Sequence, residues 1–135
     1  MNETDVQDFV TRFAAAWAAR DGEAFLALWH PDGTLHSPLY DRPVAGKEMG
    51  QLTELVRKAA PDHVWQLLDW TCRGDVVVVE WQATRTVGGQ RLDWRGVDKF
   101  RLRGGRIAAE QVYMDTAMLR AARSIAWPEP LIRLG

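Results

Sequence analysis

The chain has 135 residues, which suits one domain whose folding buries roughly two-thirds of the unfolded surface. Apolar residues make up 47% and charged residues 26%, a globular balance, and a formal charge of −1 removes the electrostatic case for nucleic acid or an anionic membrane as partner. The lone Cys72 excludes an intramolecular disulfide and a cysteine-based metal site.

Thr4 with Gln7 has the spacing of a capping box, and Val6, Phe9, Val10, Phe13 and Trp17 follow at helical spacing. A first helix is predicted from Asp5 to Arg20. Asp21-Gly22 breaks it, and a short helix from Glu23 to Trp29 follows. Pro31-Asp32-Gly33 reads as a turn, Thr34 to Ser37 as a short strand, and Pro38 to Gly46 as an irregular loop. A third helix runs from Lys47 to Ala60 and stops at Pro61.

The rest is β-rich. Strands are predicted over His63–Cys72, Val76–Val87, Arg91–Arg103 and Arg106–Met114, separated by Arg73-Gly74-Asp75, Gly88-Gly89 and Gly104-Gly105. Thr116 to Arg123 makes a helical turn or two. Residues 124–135 form an extended tail, since Trp127-Pro128-Glu129-Pro130 cannot be helical throughout. Helices followed by an antiparallel meander give an α+β plan in one domain, with the helices laid on one face of a curved sheet. No charged-then-apolar leader opens the chain and no apolar run approaches a membrane span, so a cytoplasmic protein is expected.

The strand from Leu92 to Leu102 alternates strictly. Leu92, Trp94, Gly96, Asp98, Phe100 and Leu102 share one face; Asp93, Arg95, Val97, Lys99 and Arg101 share the other. Asp98 therefore points into an apolar interior, where desolvation raises a carboxyl's pKa unless a cation or donors compensate. Two roles remain open for it: a perturbed acid at a functional site, or an acid bonded to a buried Arg or backbone amide. In the neighbouring strand Val77, Val79, Trp81 and Ala83 form the corresponding face, so Trp81 and Asp98 share one interior.

The order helix, Asp-Gly, short helix, Pro-Asp-Gly-Thr, Ser-Pro, Gly46, then a meander ending Gly104-Gly105-Arg106-Ile107 and Tyr113-Met114-Asp115, resembles the nuclear transport factor 2-like superfamily. Within it the chain is similar to the SnoaL-like polyketide cyclases and the ketosteroid isomerases, over roughly residues 5 to 122. The resemblance implies a cone: a bent antiparallel sheet around N-terminal helices, a deep apolar pocket, and a homodimer formed through the outer sheet face. Val97-Asp98-Lys99-Phe100-Arg101-Leu102 resembles the isomerase segment with the protonated Asp of the oxyanion hole, and Asp98 falls on that acid. Phe13 stands where the isomerases have a Tyr donor, and Ser37 stands where they have the general base. Trp81, Ala83 and Val112 stand where limonene epoxide hydrolases have their Arg and two Asp. Both of those mechanisms are therefore not expected.

The facing of Glu110 is open. A plain hairpin about Gly104-Gly105 sets Asp98 against Gln111 and turns Glu110 outward, whereas the resemblance turns Glu110, Val112 and Met114 inward. If Glu110 is inward, two facing carboxyls split their pKa values and can act as acid and base. Phe13, Trp17, Ser37, Trp81, Trp94, Asp98 and Val112 are expected to border one cavity, with Tyr40 near its mouth as a donor to ligand oxygen. His36 is expected to face away, and His30 and His63 to be surface or capping groups. No His/Asp/Glu spacing points to a metal. The sequence thus points to a homodimer that binds a hydrophobic, partly oxygenated small molecule without a cofactor. It is either an isomerase, cyclase or dehydratase working by proton transfer from Asp98 and Glu110, or a non-catalytic module with a relic pocket. The expected dimer face carries Glu80, Gln82, Arg95 and Lys99.

Overall fold

The computed structural model describes residues 2–135. Helix α1 spans Glu3–Ala19. It starts earlier than the Thr4–Gln7 pattern suggests because Asn2 is the cap: its side chain accepts from Asp5 N at 2.8 Å, and Asp5 answers to Asn2 N at 3.3 Å. Val6, Phe9, Val10, Phe13 and Ala16 form its buried stripe. Asp21 caps the short α2, Gly22–Leu26.

Strand β1, Trp29–His36, corrects two expectations. Trp29 leaves the second helix and begins a strand, and Pro31-Asp32-Gly33 is no free turn but an irregularity within that strand. The residues between Trp29 and Thr34 shift the register by absorbing extra chain. Strand β2, Val44–Ala45, lies inside the predicted loop. A 3-10 turn at Gly46–Glu48 leads into α3, Met49–Ala59.

Strands β3 (Val64–Arg73), β4 (Val76–Val87), β5 (Gln90–Arg103) and β6 (Arg106–Met114) form the predicted meander. Among the described residues the six strands make one curved, unclosed sheet in the order β2-β1-β6-β5-β4-β3. Its pairings are antiparallel except that β1 runs parallel to β6. The chain is therefore α+β, as its element order implies. No helix of the described residues is long and apolar enough to cross a membrane.

The core sits where α1 meets the middle of the sheet. Phe13 lies 4.9 Å from Phe100 and 5.5 Å from Phe25, and Phe9 lies 5.3 Å from Phe100, centroid to centroid. Each ring buried this completely contributes roughly 1.5–3 kcal/mol. Phe100, Val77 and Val79 close the layer from the sheet side.

The C-terminal stretch is tied down. Helix α4, Ala117–Arg123, is followed by a segment whose Leu131 is buried and whose Ile132 pairs with Tyr40. Ile132 N bonds to Leu39 O at 2.9 Å, Leu134 N to Asp41 Oδ1 at 2.9 Å, and Arg123 reaches Leu131 O at 3.2 Å. The predicted extended tail is thus a strap across the Leu39–Asp41 loop.

Candidate functional site

The register of β5 and β6 decides what this fold can do. Near the hairpin Arg103 pairs with Arg106 and Leu102 with Ile107, but Arg101 pairs with Ala109. Ala108 is the extra residue. This bulge turns the remainder of β6 over, so Asp98 opposes Val112 and Phe100 opposes Glu110. Asp98 and Glu110 are then diagonal neighbours on the inner face, and both are buried, 4% and 6% exposed.

The two carboxyls hydrogen-bond, with Glu110 as the proton holder. Burial pushes Asp98 up to about 6, opposed by hydrogen bonds from Glu110 and from the Trp81 indole, whose Nε1 donates to Oδ1 at 2.9 Å. Glu110 is driven well above the usual carboxylate range, first by burial and then by the Asp98 charge. Both shifts are upward, and the Asp98 charge makes Glu110 the carboxyl that gives up its proton last.

The Trp81 bond depends on Gly96. Trp81 and Gly96 face each other across β4 and β5, and a Cβ at position 96 would lie 2.3 Å from Trp81 Cζ2. Glycine lets the indole lie against the β5 backbone and reach Asp98, two residues along the same face.

These groups open into a cavity of about 110 Å³. Trp17, Ser37, Tyr40, Trp81, Trp94, Asp98, Glu110, Val112 and Met114 all line it. Ser37 has a committed hydroxyl, which accepts from Leu39 N at 3.2 Å. Tyr40 is held protonated by burial, its pKa pushed up to about 12. Phe13 does not line the cavity. It lies one layer deeper, wedged between Phe9, Phe25, Trp65 and Phe100, because α1 points that position at the core.

Among the further wall residues are His63, Trp65 and Arg85, none of them expected at the cavity from the sequence. His63 corrects its expected surface role. It lies beside Trp17 at 6.1 Å and Trp94 at 6.2 Å, and burial with nearby Arg85 depresses its pKa to about 4, so the ring is neutral. Arg85 continues the inward alternation of Val77, Val79, Trp81 and Ala83, and that period was a signal available in the sequence. His30 bonds to Arg103 O at 2.6 Å, and His36 is exposed. Among the described residues no three His, Cys, Asp or Glu side chains gather as a metal-ligand set.

A family model described as the SnoaL-like domain matches residues 10–110. Among curated proteins no sequence match is found. Solved structures share the fold at low identity. An NTF2-like protein of unknown function from Burkholderia pseudomallei is 19% identical with a TM-score of 0.77, covering 90% of this chain and 98% of its own. IdmH, a candidate polyketide cyclase from Streptomyces antibioticus, is 20% identical with a TM-score of 0.74, covering 87% and 97%. TerC, crystallised with polyporic acid, is 18% identical with a TM-score of 0.76, covering 89% and 98%.

Proposed function

The chain belongs to the SnoaL-like domain family, and from that premise we propose that it is a cofactor-free enzyme that moves protons on a hydrophobic, oxygenated small molecule. The observation that carries this reading is the buried Asp98–Glu110 pair, whose two protonation states are set apart at the end of an apolar cavity. A base near pH 6 beside an acid that keeps its proton is a matched couple for work at neutral pH.

In the proposed step the Asp98 carboxylate takes a proton from a carbon next to a substrate carbonyl. The C–H electron pair moves into the new C=C bond, and the carbonyl oxygen takes the proton that Glu110 held. Charge passes from Asp98 to Glu110, and the pair still carries one proton. Where a C=C bond conjugates with the enol, return of the Asp98 proton to the far carbon of that dienol moves the double bond, with the enol O–H going back to Glu110. Attack of the enol carbon on a second carbonyl, whose oxygen takes the Asp98 proton while the enol O–H returns to Glu110, closes a ring. Trp17, Trp65, Trp81 and Trp94 supply flat apolar walls for such a substrate. IdmH, a structural neighbour, is a candidate polyketide cyclase, and TerC was co-crystallised with polyporic acid; both suit a substrate with rings and carbonyls.

The test is hydrogen exchange into 2-tetralone in deuterated buffer, followed by proton NMR. Wild-type protein is expected to accelerate loss of the α-proton signal and Asp98→Asn to abolish the acceleration. Binding of 2-tetralone without acceleration would overturn catalysis and leave a binding module.

The assembly belongs to the same proposal. The outer face of β4, β5 and β6, with Glu80, Gln82, Arg95, Val97, Lys99 and Tyr113, is the surface through which two copies would pair.

A further inference from the structure

The cavity has a second polar end, and no protein group answers it. Arg85 reaches into the cavity from β4, yet its Nε is buried without a hydrogen-bond partner, and so is Nδ1 of His63. Among the described residues no carboxylate lies within ion-pair distance of Arg85. The nearby acid, Asp62, is already committed: its Oδ2 accepts from Thr86 N at 2.9 Å and from Arg91 at 3.0 Å. Arg123 adds positive charge near Arg85, and Arg20 adds it near His63. Tyr40, beside Arg85, stays protonated and offers a donor.

A half-buried guanidinium with an unsatisfied N–H is costly unless something else pairs with it. The local geometry suits a flat anion. The Arg85 Cζ sits 5.6 Å from the centre of the Trp94 ring, and His63 flanks the same ring. A guanidinium lying over an indole leaves N–H groups for a carboxylate, which an Arg fork can grip with two parallel hydrogen bonds.

The proton-transfer pair is at the other end. Asp98 faces Val79, six residues before Arg85 on β4, so the two backbone positions are at most about 20 Å apart along the strand. The cavity wall between them is aromatic and aliphatic.

We infer that Arg85, with His63 and Trp94, is an anion-binding end of the cavity, and that the ligand is a flat aromatic molecule with a carboxylate or equally ionised oxygen remote from the carbon presented to Asp98. This deepens the proposed function and rests on the cavity being a small-molecule site.

The test compares 2-naphthoate with 2-naphthamide, its neutral analogue of similar shape, by tryptophan fluorescence titration at pH 7. Wild-type protein is expected to bind naphthoate roughly tenfold or more tightly than naphthamide, the worth of a charge-assisted pair. Arg85→Met, shown to be folded by a denaturant melt, is expected to bind both probes equally. Should it fail to fold, Arg85→Gln carries the same expectation. Equal binding by wild type, or a preference that survives in the Arg85 variant, overturns the anion site while leaving the small-molecule cavity standing. Binding of neither probe overturns the cavity reading itself, and this inference with it.

Discussion

The indole of Trp81 lies against the backbone of Gly96, its cross-strand neighbour, and from there gives its N–H to Asp98 at 2.9 Å. One glycine therefore lets an indole oppose, in part, the upward push of burial on an acid two residues away. Gly96→Ala must displace the ring, because 2.3 Å is far inside contact distance. The expected cost is about 1–3 kcal/mol, read as a lower denaturant midpoint. The Asp98 carboxyl, deprived of its indole donor, should titrate higher than in wild type by carbon-13 NMR.

Asp98→Asn separates stability from chemistry. The folded protein holds the Asp98 proton more tightly than the unfolded chain does. Between pH 3.8 and about 6 the native state thus binds more protons, and stability falls as pH rises. The full penalty, on the order of 3 kcal/mol, is present above that window. Asn keeps an oxygen for Trp81 and never ionises. Melts of the variant at pH 7 should show equal or greater stability and a flatter profile from pH 4 to 6, with no exchange activity. A large loss of stability at pH 7 would mean that Asp98 serves the fold.

Glu110→Gln should simplify titration. In wild type the pair loses its protons in two steps, the first near 6 on Asp98 and the second well above the usual carboxylate range on Glu110. Glutamine keeps a donor to Asp98 but has no proton to lose. Carboxyl NMR of the variant should show the Asp98 step alone, and any catalysed exchange should lose its alkaline limb along with most of its rate.

Light scattering at micromolar concentration should give twice the mass of one chain. Val97→Arg, on the outer face opposite Tyr113, should shift that mass toward one chain without lowering the melting midpoint of the isolated fold. A wild-type mass of one chain would remove the dimer.

Much of the site was legible because strands alternate. Asp98, Trp81 and Trp94 follow from a period of two, and Arg85 obeys the same period, although a charged side chain near the end of a strand is easily assigned to solvent. Glu110 was not legible from spacing alone. Its facing depends on one bulged alanine among Ile107-Ala108-Ala109, and nothing in those side chains announces it. The same difficulty hid the start of β1, where Pro31-Asp32-Gly33 has turn chemistry but is carried within the strand. Helix spacing placed Phe13 inward correctly. It could not say which layer the ring reaches, since that depends on how α1 seats against Phe100.

The bulge at Ala108 also makes the acid pair a matter of counting. Every residue from Ala109 to Met114 faces as it does because the hairpin arm has one member more than its partner. The same residues paired without the bulge, Arg101 against Ala108, would keep every side chain yet exchange the two faces of the strand. Gln111 and Tyr113 would turn inward, and Glu110 would turn to water. A chain paired that way would keep the scaffold and Asp98 but trade a proton-sharing couple for an acid beside an amide. In this fold, gain or loss of chemistry can thus come from the parity of a loop rather than from any substitution in the cavity.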